Sequence, residues 1–332
     1  MSIEILKAGI ADSIHDTGRY GYQFQGINPA GVMDPLAAMV ANFLVGNPAG
    51  EAVIEFHFPA AVLQFDKTMI GALSGADFSA SIHGIDIPLN TPFLIAKGDI
   101  LQFTHLQNGA CCYLALRGGL AIEPWLNSKS TNAAAAMGGW CGRFLKKGDV
   151  LPVQDTTDYA EAISHSKEKT LPWKLYLKDF YRTNQPVRLL SGHEWELLTE
   201  ESKLKLLKSA FSISAQSNRM AYRLQGGRLQ TSNPVSMLSS AVTKGTLQLL
   251  PNGQLALLMA DHQTTGGYPR IAHVISADLP VLAQTGPLSS IHFTLVSQHT
   301  ATQAFKKQQD ALSGLQKGCD LQLKRWLINF NL

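Results

Sequence analysis

The sequence predicts a mainly β fold, built as two pseudo-repeated β-domains with a few short helices. First, short apolar segments alternate with Gly, Pro, Asn and Asp between residues 53 and 116, which is typical of an antiparallel barrel or sandwich. Second, the chain has 332 residues, which exceeds the usual size of a domain with a single hydrophobic core, so two domains are expected. Third, a ten-residue segment of the first half resembles one in the second half.

The repeated segment occupies residues 17–26 and, without gaps, residues 217–226. Arg, Tyr, Gln and Gly coincide in the two copies, and an Asn-Pro pair follows each copy. Duplication and a chance match both explain this pattern. If duplication is correct, the two halves form a cleft, which is the default place for a ligand.

Duplication also makes specific pairs of residues equivalent. Arg19 and Arg219 would occupy the same place in the two domains and lie in comparable β-contexts, with Tyr22 and Tyr222 oriented alike. We expect Arg219 to face the cleft, because it shares a half of the chain with a glycine-rich loop at residues 259–272. Arg19 is expected to be structural.

Local signals define the first elements of the chain. Residues 3–6 are a strand candidate. A helix is expected to begin at Asp34, because Asp accepts hydrogen bonds from the first helical N–H groups and Pro35 suits the first helical position. Apolar residues recur at helical spacing as far as Leu44, and Gly46 ends the helix.

Strands and a terminal helix are expected in the rest of the chain. The strand candidates of the first half are residues 53–56, 62–65, 93–96, 100–103 and 112–116. In the second half, residues 248–255 predict a hairpin, because Asn-Gly between apolar strands favours a tight turn. Residues 302–315 predict a docked helix with one apolar face, in which core packing accounts for Phe305.

The patterns divide the chain into four consecutive parts. A polar and weakly patterned stretch at residues 151–186 predicts a connector between the β-domains. The predicted parts are therefore an N-terminal β-domain at 1–150, the connector at 151–186, a C-terminal β-domain at 187–300 and a helical tail at 301–332.

Composition excludes several classes of protein. The net charge is only +3, and no Lys/Arg block with interleaved aromatic residues occurs, so no nucleic-acid partner is expected. The four cysteines form no C-x-x-C pair, which indicates free thiols in a reducing compartment. The N-terminus lacks a signal-peptide pattern and no apolar run reaches membrane-spanning length, so we expect a cytoplasmic protein without a membrane partner.

The richest polar segment is the loop at residues 259–272, MADHQTTGGYPRIA, which follows an apolar run expected to be a buried strand. Its polar side chains stand in consecutive positions from Asp261 onward. The Gly-Gly pair permits backbone angles that other residues resist and exposes N–H groups to close approach. Tyr268 adds an aromatic face, and Arg270 adds a permanent cation. A binding loop and a tight turn capped by its own side chains both fit this segment.

Familiar catalytic signatures are absent from the sequence. It contains no G-x-x-x-x-G-K-[ST] phosphate loop, no G-x-S-x-G elbow and no H-E-x-x-H helix. The ten histidines are scattered without ligand spacing, so no metal site is expected. No pair of carboxylates with acid–base spacing is visible either.

Several motifs resemble the KipA family, also called allophanate hydrolase subunit 2, the biotin-dependent carboxyltransferase-like family or the 5-oxoprolinase C subunit. The motifs are HDTGRYGYQFQGINPAGVMD, LALRGGL, SNRMAYRLQG and DHQTTGGYPRIAHVISADLPVLAQ. The resemblance implies cyclophilin-like β-barrel domains. It also implies a KipI-like partner, called the 5-oxoprolinase B subunit in that context, together with a 5-oxoprolinase A subunit.

The chain departs from the family pattern at a few positions. His15 stands where the family often has Gln, and Asn218 and Ala221 replace Asp and Gly. Asn127 and Lys129 replace the Gly and Arg of a G-S-R-S-T segment. Because a bidentate guanidinium becomes a point charge at Lys129, the role of that segment stays open. The D-x-Q-T-T-G-G-Y-P loop is intact.

The resemblance admits three functions. The first is the C subunit of an ATP-dependent 5-oxoprolinase, in which ATP phosphorylates the lactam oxygen of 5-oxo-L-proline and water opens the ring to L-glutamate. The second is a carboxyltransferase or allophanate-hydrolase-type subunit of urea metabolism, although the chain shows no biotin attachment segment. The third is a regulatory protein that binds a KipI-like kinase inhibitor. ATP, with Mg²⁺, is expected to be shared with the partner subunits.

The glycine-rich loop and the repeat supply the expected site residues. The expected catalytic residues are Asp261, Gln263 and Thr265, and the expected substrate-binding residues are Thr264, Gly266, Gly267, Tyr268, Arg219 and Arg223. Each candidate reaction develops negative charge on an oxygen, to which amide, hydroxyl and backbone N–H groups donate. Either arginine would hold a substrate carboxylate, and Tyr268 would form a wall of the site. Asp261 is expected to orient His262 or a backbone group.

Overall fold

The computed structural model describes residues 2–155, 157–165, 169–182 and 185–330. These residues form two compact units. Unit 1 contains the chain up to Gly18, Asp34–Leu177 and the chain from Asp310 onward. Unit 2 contains Arg19–Met33 and Lys178–Gln309.

The units are assembled from separate stretches, unlike the four consecutive parts of the sequence division. Residues 19–33 belong to unit 2, where the Lys244 ammonium donates to the Met33 carbonyl oxygen at 2.7 Å. Thr170, within the predicted connector, forms a β-bridge with Phe93 of unit 1. Residues 156, 166–168, 183 and 184 of that connector lie outside the described residues.

Unit 1 is built on two sheets of antiparallel strands. The strands are β1 (Ser2–Lys7), β2 (Ser13–His15), β3 (Val53–Phe56), β4 (Val62–Phe65), β5 (Met69–Asp77), β6 (Ala80–Ile82), β7 (Ile85–Asp86), β8 (Pro92–Ile95), β9 (Ile100–Phe103), β10 (Asn108–Leu116) and β11 (Val150–Pro152). One sheet has the order β11-β1-β4-β9-β6-β7, and the other has the order β2-β3-β10-β5-β8. The strands predicted at 53–56, 62–65 and 100–103 are confirmed as β3, β4 and β9.

The core of unit 1 lies between these sheets. Ile5 of β1 and Leu63 of β4 belong to the same buried cluster as Ile54 of β3 and Leu114 of β10. Neighbouring residues of a strand point to opposite faces, so the residues between these apolar ones face away from the core. On β3 and β10 the residues that alternate with the core positions include Glu55, Cys111 and Tyr113.

The predicted helix after Asp34 is confirmed as α1 (Pro35–Leu44). The Asp34 carboxylate accepts the N–H groups of Leu36 and Ala37 at 3.0 and 3.1 Å, which satisfies donors that the first helical turn leaves without helical partners. Pro35 occupies the first helical position, and Gly46 follows with a left-handed φ of 73°. The helix contacts β5 and β10 of unit 1.

Unit 2 contains an eight-stranded sheet with the order β20-β13-β14-β17-β16-β19-β12-β21. The strands of unit 2 are β12 (Val187–Ser191), β13 (Phe211–Ile213), β14 (Ala221–Gln225), β15 (Ser240–Ala241), β16 (Thr246–Leu249), β17 (Leu255–Leu258), β18 (Thr265–Gly266), β19 (Arg270–Val274), β20 (Ser290–Ile291) and β21 (Phe293–Leu295). Because only residue 292 separates the two edge strands β20 and β21, the sheet curls into a nearly closed barrel. The mainly β fold class is therefore confirmed.

The predicted hairpin is confirmed within this sheet. β16 and β17 pair antiparallel, with Leu249 opposite Leu255. The Leu250 N–H donates to the Gln254 carbonyl oxygen at 2.8 Å, and Gly253 has a φ of 80°, a left-handed conformation that glycine adopts without strain.

The remaining helices are α2 (Ala160–His165), α3 (Glu200–Lys208), α4 (Leu279–Ala283) and α5 (Gln298–Asn329). The predicted terminal helix is confirmed, but α5 is longer than residues 302–315. The expectation that Phe305 packs in the core is wrong, because its side chain is 44% exposed. The buried apolar positions of the helix lie on one of its sides instead, and they are Ala301, Leu312, Cys319 and Leu323.

The repeated segments have different backbone contexts. Tyr222 lies on β14, whereas Tyr22 directly precedes a 3₁₀ turn at Gln23–Gln25. The expectation of comparable β-contexts is therefore wrong. Arg19 is fully buried, in keeping with a structural residue, and both arginines belong to unit 2.

The structure also describes the cysteines and the character of the helices. Cys111, Cys112, Cys141 and Cys319 are free thiols. Among the described residues, none of the helices has the length and apolar character required to cross a membrane.

Candidate functional site

The loop at residues 259–272 extends from a buried strand of unit 2, as the sequence predicts. All residues of β17 are buried, and the polar segment begins directly after Met259 and Ala260. The chain then forms the short strand β18, in which Gly266 pairs with Ser240 and Thr265 with Ala241 of β15. It returns to the main sheet as β19.

An ion pair fixes the start of this loop. The Arg219 Nε and Nη2 atoms donate to the two carboxylate oxygens of Asp261 at 2.9 and 3.2 Å. The Asp261 N–H in turn donates to the Arg219 carbonyl oxygen at 2.8 Å. The sequence predicts that Asp261 orients His262 or a backbone group, and in the structure its carboxylate accepts these two bonds from the Arg219 guanidinium.

The same arginine also holds the segment that follows the first repeat. Its Nη2 donates to the Gly31 carbonyl oxygen at 2.6 Å, and the Asn28 side-chain amide donates to the Asp261 carbonyl oxygen at 3.1 Å. Residues 19–33 are thereby attached to the base of the loop within unit 2. Arg219 therefore joins two segments of the same unit.

A second ion pair fixes the end of the loop. The Arg270 Nε and Nη2 atoms donate to the Glu194 carboxylate at 3.0 and 2.8 Å, and the Arg270 N–H donates to it at 2.8 Å. Burial opposes ionisation of Glu194, but these bonds outweigh it and hold the pKa of Glu194 below its usual value. The loop is thus anchored by a carboxylate–guanidinium pair at each end.

His262 is buried directly after the first anchor. Its Nδ1 lies 2.6 Å from the Gln263 carbonyl oxygen, to which Nδ1–H donates in the neutral ring. Burial lowers the pKa of His262, and the bond to that carbonyl only partly offsets this effect. The ring therefore stays neutral at neutral pH and supports the backbone of the loop.

The expected polar donors differ in their exposure. Gln263 and Thr265 are exposed, whereas Thr264 is half-buried and its carbonyl oxygen accepts the Val242 N–H at 3.1 Å. Gly266 is buried, and a side-chain carbon added there would lie 2.5 Å from Gln248 Nε2. The exposed amide and hydroxyl can reach a ligand. Gly266 has no side chain and therefore lets the loop backbone lie close to β16.

The loop also contributes to a surface groove of unit 2. This groove has a volume of about 840 Å³ and is lined by Gly267, Tyr268 and Pro269 together with residues 228–237 and 249–253. Its lining does not include Gln263, Thr265 or Arg219.

The expected binding residue Arg223 lies on β14, where it is exposed and donates to the Gln216 side-chain oxygen at 3.1 Å. The structure thus brings Gly267 and Tyr268 together in the groove, and Arg219 and Asp261 together at the loop base. It does not place Arg223 in either group.

The divergent segment around Lys129 has a clear place in unit 1. The Asp16 carboxylate accepts the Ser128 and Ser130 hydroxyls at 2.7 and 2.6 Å, and the Lys129 N–H at 2.6 Å. The Lys129 ammonium lies 2.6 Å from a Glu51 carboxylate oxygen. In this chain the lysine thus closes a local ion pair.

A second polar group of unit 1 was not predicted from the sequence. Glu55, His57, Cys111 and Tyr113 lie together on one face of the paired segments that contain β3 and β10. One residue separates Glu55 from His57, and one separates Cys111 from Tyr113, so each pair points to the same face. The i, i+2 spacing was visible in the sequence, but the pairing register that joins the two strands was not.

Comparison with known proteins defines the family. A sequence profile described as carboxyltransferase domain, subdomain A and B, matches residues 25–295. The chain is 35% identical to the 5-oxoprolinase C subunit of Escherichia coli K12 over 308 residues, which cover 92% of this chain and 95% of that protein. It is 34% identical to the 5-oxoprolinase C subunit of Haemophilus influenzae, over 96% of this chain and 99% of that protein.

A solved structure agrees with this assignment. The urea carboxylase of Kluyveromyces lactis superposes with a TM-score of 0.86 at 26% identity, over 96% of this chain. This chain covers only 29% of the urea carboxylase chain. The resemblance drawn from the sequence motifs is confirmed, and the chain belongs to the carboxyltransferase domain family, subdomains A and B.

Proposed function

We propose that the chain is the C subunit of an ATP-dependent 5-oxoprolinase, which opens 5-oxo-L-proline to L-glutamate. The observation that carries this proposal is the 35% identity to a 5-oxoprolinase C subunit over nearly the whole length of both proteins. The relative is a component of an amide hydrolase, so the proposal places this chain in a hydrolase that acts on a cyclic amide.

The reaction has to overcome the resonance of a lactam. ATP would supply the phosphoryl group that turns the lactam oxygen into a phosphate ester. The lactam carbon then becomes electrophilic enough for water to attack, and the C–N bond of the ring breaks. The sequence carries no phosphate-binding loop of the G-x-x-x-x-G-K-[ST] type, so we assign ATP and Mg²⁺ to the assembled complex without placing them on residues of this chain.

The loop at residues 259–272 is the part of this chain that we assign to the substrate. Gln263 and Thr265 present an exposed amide and hydroxyl, which can donate to an oxygen that gains negative charge. Tyr268 follows Thr265 by three residues and is also exposed, so we assign it to an aromatic wall of the substrate site. The ion pairs of Asp261 and Arg270 keep the ends of the loop fixed, which lowers the cost of ordering these donors.

The role of the arginines follows from their partners. Arg219 is committed to Asp261 and Gly31, so we assign it to positioning of the loop. Arg223 is exposed and donates to the neutral amide of Gln216, so it is the better fork for a substrate carboxylate in the complex. Asp261, as the partner of Arg219, is likewise assigned to positioning of the loop.

The proposed enzyme requires other subunits. The relatives are named as subunits, and we propose that a KipI-like B subunit and an A subunit of 5-oxoprolinase complete the active site. The isolated chain is then inactive, and the complex is cytoplasmic, where ATP is available.

A reconstitution experiment tests this function. The purified chain is combined with the cognate A and B subunits, and ATP-dependent release of glutamate from 5-oxo-L-proline is measured. Turnover is expected with all three subunits and absent when any one is omitted. Turnover by the chain alone would refute the shared active site, and failure of the complete set to form glutamate would refute the assignment.

The structural likeness to urea carboxylase favours one alternative, a carboxyltransferase of urea metabolism. The identity to that protein is 26%, lower than the identity to the oxoprolinase subunits, so we place it second. The same reconstituted preparation is tested for urea-dependent carboxyl transfer from carboxybiotin. Carboxyl transfer without glutamate release would reverse the order of the two proposals.

A further inference from the structure

Four polar side chains of unit 1 lie on one face of two paired segments. Tyr113 of β10 is directly opposite Glu55 of β3 in the antiparallel register. Continuing this register past the Cys112–Phe56 pair places Cys111 beside His57, the residue that directly follows β3. The side chains between them, Phe56 and Cys112, point into the hydrophobic core on the other face.

The contacts join these side chains into one cluster. Cys111 Sγ lies 3.8 Å from His57 Nδ1, and His57 Nε2 lies 3.3 Å from Glu55 Oε1. Each of the three residues offers one ligand atom such that all three atoms lie within 4.8 Å of one another. The cluster lies in a different unit from the loop at residues 259–272.

We propose that Glu55, His57 and Cys111 bind one divalent transition-metal ion of the zinc class. A thiolate, an imidazole nitrogen and a carboxylate oxygen are all ligands that Zn²⁺ accepts, whereas Mg²⁺ and Ca²⁺ favour oxygen alone. Bonds of about 2.0–2.3 Å to a tetrahedral ion require ligand atoms about 3.3–3.8 Å apart, so the side chains close slightly around the ion. Three protein ligands leave a fourth position for water or a ligand.

The surroundings of the cluster fit an outer coordination sphere. The Tyr113 hydroxyl donates to Glu55 Oε2 at 2.8 Å and accepts the Asp34 N–H at 2.8 Å. A hydrogen-bonded carboxylate has a fixed orientation, which is how metal sites hold their ligands in place. Because Asp34 caps α1, the helix start and the proposed ligand Glu55 are linked through a single hydroxyl.

The buried ligands favour a bound cation, and the partly exposed His57 leaves a path for the ion. Glu55 and Cys111 are buried, and a carboxylate in such a place is stabilised by a nearby cation. The His57 side chain is 22% exposed, so an ion can enter past the imidazole. The site is therefore closed around its thiolate and carboxylate and open at its histidine.

Cobalt(II) is a suitable probe, because its bond to a thiolate produces a charge-transfer absorption band. The purified, metal-free full-length chain is titrated with Co²⁺, and Zn²⁺ is then added in competition. We expect one Co²⁺ to bind per chain with a thiolate band, one Zn²⁺ to displace it, and the melting temperature to rise on binding.

The variants Cys111→Ser and His57→Gln are each expected to abolish the band and the rise in melting temperature. Cys141→Ser is the matched control, since it removes an exposed free thiol elsewhere in unit 1. Tyr113→Phe keeps every ligand and is expected to weaken Co²⁺ binding by about tenfold to a hundredfold. Far-ultraviolet circular dichroism of each metal-free variant confirms folding.

Several outcomes would overturn the proposal. A wild-type chain that gives no thiolate band with Co²⁺ has only a hydrogen-bonded thiol–imidazole pair at this place. A band that survives in folded Cys111→Ser but disappears in Cys141→Ser puts the ion on another cysteine. These results are independent of oxoprolinase activity, so they do not depend on the proposed function.

Discussion

Arg219 and Asp261 are bound to each other through both their side chains and their backbones. The guanidinium makes two bonds to the carboxylate at 2.9 and 3.2 Å, and the Asp261 N–H donates to the Arg219 carbonyl oxygen. The side chains are only 10% and 25% exposed. This pair joins the segment entering β14 to the start of the polar loop, so it holds the candidate site in a fixed position on the barrel.

Arg219→Lys is expected to lower the free energy of unfolding by about 1–2 kcal/mol, because a single ammonium cannot make the two bonds to Asp261 and the bond to Gly31. Turnover of the assembled enzyme should fall as well, since the loop loses its anchor. Arg223→Lys, on the exposed side of β14, is the matched control for stability and should change it by less than about 0.5 kcal/mol. Urea unfolding measures both values, and equal losses in the two variants would contradict the prediction.

Elements determined by neighbouring residues were predictable from the sequence. α1 follows from Asp34 and Pro35, because capping and a fixed φ act within one helical turn. The β16–β17 hairpin follows from Asn252-Gly253, because these two neighbouring residues favour the tight turn by themselves. The loop at residues 259–272 could be located because a long apolar run stops abruptly at polar residues.

Features that depend on pairing between distant segments could not be predicted. The Arg219–Asp261 bond links residues far apart in sequence, and the cluster of Glu55, His57 and Cys111 depends on the register of β3 against β10. The sequence match between the repeats did not determine their backbone contexts, since Tyr222 lies on strand β14 and Tyr22 precedes a 3₁₀ turn. Pairing is decided by tertiary packing, which local sequence does not record.

The terminal helix gives a test of which of its own apolar side chains contribute to stability. Leu323 is buried, and its Cδ2 lies against the position that a side-chain carbon would take at Gly46. Leu323→Ala should therefore lower the free energy of unfolding by about 2–4 kcal/mol. Phe305→Ala, at an exposed position of the same helix, should cost less than about 1 kcal/mol. Thermal unfolding of both variants distinguishes this arrangement from the predicted core role of Phe305.

The Gly-Gly pair of the loop should respond unequally to the same substitution. Gly266→Ala places a carbon 2.5 Å from Gln248 Nε2, and the buried Gln248 side chain has little room to move. We expect a loss of about 1–3 kcal/mol in unfolding free energy. Gly267→Ala is the matched control, because its nearest neighbour is the Ser239 hydroxyl at 3.5 Å, an ordinary contact distance. Similar stability of the two variants in urea would contradict the close approach of loop and barrel.

Acid should destabilise unit 2 through two histidines. Burial lowers the pKa of His262 and, together with Arg270, that of His273. As pH falls through about 6.5, the unfolded state takes up protons before the folded state does, so the free energy of unfolding falls. Each linked proton contributes at most about 1.4 kcal/mol per pH unit. His262→Gln and His273→Gln should each flatten the dependence of melting temperature on pH below about 6.5, and an unchanged slope in both would contradict the linkage.

The chemical role of the loop depends on its two exposed donors. If Gln263 and Thr265 donate to an oxygen that gains negative charge during ring opening, removing either donor destabilises the transition state by about 3 kcal/mol, or roughly a hundredfold in rate. Gln263→Ala and Thr265→Ala should therefore reduce ATP-dependent glutamate formation by the complete complex to that extent. Both side chains are exposed, so the melting temperature should stay unchanged. Gln303→Ala, at an exposed position of α5 in the same unit, is the control and should keep full turnover.

Binding to the partner subunits decides between the remaining explanations for the loop. Size-exclusion chromatography of each variant with the A and B subunits should show an intact complex, because the proposed donors face the substrate. Normal turnover in both variants would make the loop a structural turn. Loss of the complex together with turnover would make it an interface, and would favour a regulatory protein that acts by binding a KipI-like partner.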